Sequence, residues 1–155
     1  MMWVSLKGAQ MDVQEVADRL EIQELLAKYA RGVDRKQFEL WKDVFTADAV
    51  LDYSNVGHAP GPRDEVIAYF AAALAHVPMT QHFVSNVEYE FAADGNSANV
   101  TAMFYNPMQL PGMADLSYCG GYYHHRFVRT ADGWRSVHVA EENSWFVNRP
   151  PARGA

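Results

Sequence analysis

Apolar residues recur at helical spacing near the start of the chain, between residues 13 and 29. Asp12 precedes this run and Glu15 lies three residues further on, a pairing typical of the capping box at a helix N-terminus. Gly32 is the expected end of the helix, because glycine commonly follows the last helical turn. The apolar positions that predict this first helix are Val13, Val16, Leu20, Ile22, Leu25, Leu26 and Tyr29.

Two shorter helices and one short strand are predicted before residue 80. Residues 37–45 carry aromatic and apolar side chains at helical spacing, and residues 49–53 form a short strand pattern. The two glycines and two prolines within residues 55–62 predict a loop. A third helix is expected to begin at Arg63 and to end before Pro78, because proline cannot continue a helix.

Beyond Pro78 the apolar pattern alternates, which predicts strands at residues 81–91, 98–109, 116–129 and 134–146. In the first of these strands, strict alternation places Val84 and Asn86 on the same face as His82. Three helices followed by an antiparallel meander indicate an α+β fold with the helices packed on a curved sheet.

Composition and charge exclude several classes of protein. The 155 residues are 49% hydrophobic, which allows a single domain over residues 1–155, with loose termini at residues 1–11 and 149–155. A net charge of −6 provides no basic surface for nucleic acid or anionic membranes, and no apolar run reaches the ~20 residues of a membrane span. Cys119, the single cysteine, and an N-terminus without a secretion signal predict a cytoplasmic protein.

An aspartate and a histidine are the candidate catalytic residues. Elimination beside an activated C–H bond needs a base that works near neutral pH, and the usual pKa of histidine is about 6.5. A carboxylate improves such a base by fixing its tautomer and stabilising the imidazolium. Asp34, after the first helix, and His82, at the start of the first long strand, can form this pair. The alternative is a solvent-exposed aspartate and a histidine bonded only to backbone.

Tyr29 is a third candidate. Five residues at about 100° each put it roughly 140° from Asp34 on a continuous helix, so the two share a pocket only if the helix ends between them. Gly32 allows such an end. A phenol there would protonate a leaving hydroxyl or polarise a carbonyl; the alternative is a tyrosine that only packs in the core.

The order of several segments resembles the SnoaL-like group of the NTF2-like superfamily over residues 13–145. The segments are EIQELLAKYARGVD at 21–34, Trp41, Phe45, DAVLD at 48–52, HFVSN at 82–86 and GGYYHHRFVRTADGW at 120–134. The resemblance implies a cone-shaped α+β barrel, with three N-terminal helices packed on a curved, mainly antiparallel sheet around one deep apolar pocket.

Within that superfamily the chain is similar to scytalone dehydratase, hexachlorocyclohexane dehydrochlorinase and bile-acid 7α-dehydratase. The similarity implies a His–Asp pair at His82 and Asp34, with Tyr29 beside it, and no metal or organic cofactor. The chain has Asn106 near the position of an aspartate of the bile-acid enzyme, and Asn143 near the position of its arginine. Recognition of a carboxylate by arginine is therefore not expected.

Further residues are expected to contact a hydrophobic substrate. His124 and His125 are adjacent in a strand and point to opposite faces, so one of them can line the pocket. No histidine spacing typical of a metal site occurs, and His138 and Glu141 are three residues apart on a strand. The predicted substrate-binding residues are Tyr53, Met103, Tyr105, Asn106, His124 and Trp145.

Three functions are compatible with these residues. The first is a cofactor-independent lyase, a dehydratase type of enzyme acting on a small hydrophobic ring compound such as a steroid, terpenoid, polyketide or aromatic-degradation intermediate. The second is an isomerase or cyclase of the ketosteroid-isomerase type, which uses the same proton abstraction. The third is a non-catalytic ligand-binding or assembly subunit, like the small subunit of a ring-hydroxylating dioxygenase. A homo-oligomer, either a dimer or a trimer, is expected because one face of a long sheet needs cover.

Overall fold

The first helix starts where the capping pattern predicts. The computed structural model describes residues 12–150, and Oδ1 of Asp12 accepts a hydrogen bond from the Glu15 backbone N–H at 2.7 Å. Helix α1 covers Val13–Asp34, two residues beyond the predicted end at Gly32. A Cβ atom on Gly32 would lie 2.6 Å from the Trp41 backbone nitrogen, so this glycine allows close contact with the next helix. The predicted loose segment 1–11 and most of 149–155 lie outside the described residues.

Only the C-terminal part of the apolar pattern in α1 is buried. Ile22, Leu26 and Tyr29 lie in the core, whereas Val13 is 87% exposed and Leu20 is 57% exposed. Buried Asp18 holds the N-terminal half of the helix to the sheet. Its carboxylate accepts hydrogen bonds from the Arg129 guanidinium and, at 3.0 Å, from the Trp134 indole N–H.

The segment between α1 and the long strands contains more β structure than its sequence predicts. The second helix is shorter than predicted, and residues within the expected loop form an edge strand whose residues Gly61 and Pro62 pair with Leu51 and Val50. The elements are α2 (Phe38–Lys42), β1 (Phe45–Tyr53), a 3-10 turn (Ser54–Val56), β2 (His58–Pro62) and α3 (Arg63–Leu74).

Within residues 12–150, a curled, mixed sheet of seven strands forms the rest of the fold. Strand β1 pairs in parallel with β7, and all other pairings are antiparallel. The order is β2-β1-β7-β6-β5-β3, with β4 also paired to β5. The four predicted long strands are present, and the predicted α+β class with three helices on a curved sheet is confirmed. The remaining strands are β3 (Met79–Thr80), β4 (Phe83–Phe91), β5 (Ser97–Gln109), β6 (Ser117–Thr130) and β7 (Gly133–Val147).

Two of the β-bulges in the sheet change which side chains point inward, at Asn86 and at Trp145. The register of β4 shifts between Ser85 and Glu88, where Asn86 has a φ of 50°, and Val87 packs against the core although Asn86 does not. The interpretation that Val84 and Asn86 share one face is therefore wrong, because a bulge reverses the alternation. In β7, Asn143 and Trp145 pair with the adjacent residues Gly121 and Gly120, so Ser144 is the extra residue.

The core lies between α1 and the concave face of the sheet. Trp134, Phe127 and Val139 come from the sheet, and Ile22 comes from α1; all four are fully buried. None of the helices within residues 12–150 is both long and apolar enough to cross a membrane.

Candidate active site

Asp34 and His82 are in direct contact. Asp34 is the last residue of α1. His82 lies in the short connection between β3 and β4, two strands that both pair with β5. The Nδ1 of His82 lies 2.6 Å from Oδ1 of Asp34, and the His82 backbone N–H donates to Oδ2 at 2.8 Å. The Thr80 hydroxyl donates to Oδ1 at 2.8 Å. The carboxylate therefore anchors both the imidazole ring and the backbone that carries it.

The hydrogen bonds around His82 define its tautomer. Asn106 Oδ1 accepts from the Gln81 backbone N–H at 3.2 Å, an N–H that also donates to the Pro107 carbonyl. The Asn106 Nδ2 group is then turned to His82 Nε2, at 3.0 Å. Because an amide N–H donates, Nε2 of the neutral ring is the acceptor and Nδ1 carries the proton that Asp34 receives as a hydrogen bond. The ring thus presents its lone pair on Nε2.

An apolar cavity of about 160 Å³ lies beside this pair, between the helices and the concave face of the sheet. A cavity of about 150 Å³ is large enough for benzene, so this space suits roughly one six-membered ring. The side chains of His82 and Asp34 are 9% and 17% exposed. The cavity is lined by Tyr29, Val33, Trp41, Tyr53, Val56, Phe70, Leu74, Thr80, His82, Phe104, Asn106, Met108, Cys119, Tyr123, Glu141, Asn143 and Phe146.

Three tyrosines line the cavity, and two of them share a hydrogen bond. The hydroxyls of Tyr29 and Tyr53 share a hydrogen bond of 2.8 Å, and both residues are 2% exposed. Burial raises the pKa of each phenol well above its ordinary value. Both therefore stay protonated and act as hydrogen-bond donors. Tyr29 lines this cavity, whereas Asp34 is not among its lining residues and contacts it only through His82. The helix end that would let Tyr29 and Asp34 share a pocket is also absent, because α1 continues past Gly32 to Asp34.

Glu141 and Asn143 also line the cavity, and sequence reasoning did not assign them to it. They lie on β7 opposite Tyr123 and Gly121, and paired residues of an antiparallel ladder share a face. Burial raises the pKa of Glu141, and the His82 imidazole and the Asn143 amide partly offset this increase. Both polar atoms of the Asn143 side chain are buried without a hydrogen-bond partner of ordinary geometry. In a strand, alternate residues share a face, so Glu141 and Asn143 lie on the same side as Val139, which is buried. This alternation is the signal in the sequence that could have identified them.

Four of the predicted substrate-binding residues lie outside this cavity. Tyr105 and Trp145 are 42% and 43% exposed, and they line a shallow cleft with Met103 on the outer face of the sheet. Met103 and Tyr105 alternate with the inward residues Phe104 and Asn106, and the bulge at Ser144 turns Trp145 outward. These are corrections to the predicted set, of which Tyr53 and Asn106 line the cavity.

The adjacent histidines of β6 do not line the cavity either. His124 lies on the outer face, with Nε2 at 2.9 Å from a Glu142 carboxylate oxygen. His125 is buried in the core, where its Nδ1 is 3.0 Å from the Ser136 hydroxyl, and burial lowers its pKa to about 3. Within residues 12–150, no three His, Cys, Asp or Glu side chains are grouped as metal ligands would be.

The sequence matches one protein family. The profile of the SnoaL-like domain matches residues 14–140, and the chain belongs to this family. An uncharacterized protein of Mycobacterium tuberculosis is 34% identical over 137 residues, which are 88% of this chain and 92% of the relative.

Solved structures share this fold, including two from species of Novosphingobium. A provisionally named scytalone dehydratase of Novosphingobium aromaticivorans superposes with a TM-score of 0.80 at 16% identity, over 94% of this chain and 99% of that one. A hexachlorocyclohexane dehydrochlorinase of Novosphingobium barchaimii gives 0.78 at 18% identity, over 92% and 96% of the two chains.

Proposed function

We propose that this chain is a lyase that eliminates a leaving group, in the simplest case water, from a small hydrophobic ring compound without a cofactor. The observation that carries the proposal is His82 at the wall of an apolar cavity, with its ring hydrogen-bonded to Asp34. The Nδ1–H group of His82 donates to the Asp34 carboxylate, and the Nε2 lone pair of His82 faces the Asn106 amide. A neutral imidazole held in this way is a suitable general base near neutral pH.

The reaction step follows from this geometry. Nε2 of His82 takes the proton from a carbon next to an electron-withdrawing group, after substrate entry displaces the Asn106 amide from Nε2. The electron pair of the C–H bond forms the new C=C bond, and the pair of the bond to the leaving group departs with that group. The Asp34 carboxylate stabilises the imidazolium, which returns its proton to solvent afterwards.

The two tyrosines have a supporting role. Their hydroxyls remain protonated, so Tyr29, in contact with Tyr53, assists the departing group or polarises a substrate carbonyl by donating a hydrogen bond. Of the predicted substrate-binding residues, Tyr53 and Asn106 line the cavity and keep that role in the proposal.

The size of the cavity favours certain substrates. A volume of about 160 Å³ suits one ring, so single-ring aromatic-degradation intermediates and small terpenoids fit better than a whole steroid or polyketide. The names of the two structural neighbours refer to dehydration and dehydrochlorination, both eliminations. At 16% and 18% identity they support the choice of reaction class only through the shared fold.

An isomerase is the second candidate. The hydrogen-bonded pair Tyr29–Tyr53 favours it, because phenol donors can stabilise an enolate oxygen. If the substrate has no leaving group and His82 returns the proton to another carbon, the same site moves a double bond.

The test is a screen of cyclic β-hydroxyketones and β,γ-unsaturated ketones with the wild type, His82→Gln and His76→Gln, the last being an exposed histidine outside the site. Loss of water, measured by mass spectrometry, indicates a lyase, and a shifted double bond without mass change indicates an isomerase. A His82→Gln rate 10²-fold or more below that of His76→Gln is expected. Equal rates for the two variants, or tight ligand binding with no reaction, contradict the proposal and favour a binding or assembly subunit.

The cytoplasmic location and a homo-oligomer of two or three chains remain part of the proposal. Exposed aromatic side chains on the outer face of the sheet, at Phe83, Tyr105 and Trp145, support an oligomer because contact with another copy would cover them. The molecular mass in solution, measured by light scattering, tests it.

A further inference from the structure

A glutamate on strand β7, Glu141, lines the cavity. Glu141 lies on β7, with Tyr123 as its cross-strand partner on β6 and Ala140, the preceding residue, paired with Asp52 of β1. Its side chain lines the same cavity as His82, which comes from the opposite edge of the sheet near β5. Among residues 12–150, no Lys, Arg or His lies within ion-pair distance of the Glu141 carboxyl group.

The surroundings of Glu141 favour the neutral carboxylic acid. A buried carboxylate without a paired cation is costly, and such a group takes up a proton instead. Burial raises the pKa of Glu141, and His82 and the Asn143 amide only partly offset this increase. The other titratable groups that face it are neutral: Tyr29, Tyr53, Tyr123 and Cys119.

We propose that Glu141 is the general acid of the elimination, which makes hydroxide the leaving group that this site is built to remove. This inference rests on the proposed lyase function. His82, the proposed base, and Glu141, the proposed proton donor, both line the cavity, whose volume of about 160 Å³ suits one ring. A substrate that suits both is a neutral cyclic β-hydroxyketone.

The proton balance of the step is complete. His82 Nε2 takes the carbon-bound proton, and that electron pair forms the C=C bond. The C–O bond breaks, and the oxygen keeps its electron pair, receives the proton of Glu141 and leaves as water. His82 then holds one proton more and Glu141 one fewer, and proton transfer through solvent restores both groups.

The leaving group separates this role from a merely structural one. Hydroxide is a poor leaving group that needs a proton, whereas chloride leaves without one. The experiment compares 3-hydroxycyclohexanone with 3-chlorocyclohexanone, both of which give cyclohexenone, in the wild type, Glu141→Gln and Glu142→Gln. Glu142 is an exposed neighbour on the outer face and serves as the matched control. Rates are read from the ultraviolet absorbance of the enone and corrected for spontaneous elimination.

We expect Glu141→Gln to lower kcat for the hydroxyketone by about 10²-fold or more and to change kcat for the chloroketone by less than about threefold. Glu142→Gln should leave both rates unchanged. Equal losses on both substrates, or no loss on either, overturn the role of Glu141 while leaving the lyase in place. If the wild type is no faster than His82→Gln on both compounds, the proposed lyase function itself fails.

A second measurement does not depend on activity. Infrared difference spectra of the wild type against Glu141→Gln, recorded at the pH of the rate measurements, should show the band of a protonated carboxyl group, because burial raises the pKa of Glu141. A carboxylate band with no protonated band at that pH overturns the proposal, because an ionised group cannot donate a proton.

Discussion

His82 contacts Asp34 through both its side chain and its backbone: Nδ1 lies 2.6 Å from Oδ1, and the backbone N–H donates to Oδ2 at 2.8 Å. One carboxylate at the end of α1 thus positions the imidazole and the entry of the chain into β4 together. Ring orientation therefore depends on the packing of helix against sheet and not on a single flexible contact.

Asn106→Asp should protonate both ring nitrogens of His82. The present amide donates to Nε2 at 3.0 Å, whereas a carboxylate there would accept; since Asp34 already accepts from Nδ1, the two carboxylates together favour the imidazolium. ¹⁵N NMR should show Nδ1 protonated in the neutral ring of the wild type and both nitrogens protonated in the variant, with loss of elimination activity. An unprotonated Nδ1 in the wild type would contradict the assignment of Nε2 as the base.

Asp34→Ala should destabilise the fold as well as the site. The change removes the acceptor of three hydrogen bonds, from Thr80 Oγ1, His82 Nδ1 and the His82 backbone. Hydrogen bonds to a charged group are worth about 1.5–3 kcal/mol each, with partial exposure reducing the sum, so we expect a loss of about 2–4 kcal/mol in urea denaturation. Asp48→Ala, at an exposed position, is the control and should change the unfolding free energy by less than about 0.5 kcal/mol.

Asp18→Asn should reduce stability in a pH-dependent way. Burial raises the pKa of Asp18, but hydrogen bonds from Arg129, Trp134 and Gln14 outweigh this and lower it overall. A carboxyl whose folded pKa is depressed contributes stability above its unfolded pKa of about 3.9, and this contribution disappears as the pH falls through the folded value.

The wild type should therefore exceed Asp18→Asn in unfolding free energy by about 2 kcal/mol at pH 7. The difference should shrink as the pH falls below about 4. Denaturant titrations at both pH values measure it, and Asp132→Asn, at an exposed position, is the control. A difference that stays constant or grows on acidification would show that the charge of Asp18 is not what holds α1 to the sheet.

Gly32→Ala should destabilise the protein although alanine is the better helix former by about 1 kcal/mol. The added Cβ would lie 2.6 Å from the Trp41 backbone nitrogen, so α1 and α2 must separate. We expect a net loss of about 1–3 kcal/mol in thermal or denaturant unfolding. A stabilised variant would mean that the two helices pack less closely than described.

The fold class follows from the change of period after Pro78, because helical and alternating patterns are local properties of the sequence. The positions of Asn86 and Trp145 were not predictable in this way. Each lies at or beside a bulge, and one extra residue reverses every later side chain of the strand. Bulges depend on pairing between strands, which the alternation of a single strand does not contain.

In the candidate site, too, contacts between distant parts of the chain could not be predicted from local sequence patterns. The contact of Asp34 with His82 joins residues 48 positions apart; the residue types left the pairing open, and the family resemblance favoured it. The sequence places Glu141 three residues from His138 on a strand and does not indicate its place in the cavity wall, which depends on the curvature that brings β7 over the cavity. Spacing along one strand does not reveal that curvature.

The most direct test of the account is hydrogen–deuterium exchange at the α-carbon of cyclohexanone, a single-ring ketone with no leaving group, followed by NMR in D₂O. If His82 is a base at the cavity wall, the wild type should accelerate exchange, and His82→Gln should lose 10²-fold or more of that acceleration. The Asp34→Asn variant should lose a comparable part of the acceleration, because the His82 ring is then no longer held in the tautomer that can accept a proton at Nε2. Exchange no faster than in buffer, or equally fast in His82→Gln, would contradict proton abstraction by this pair.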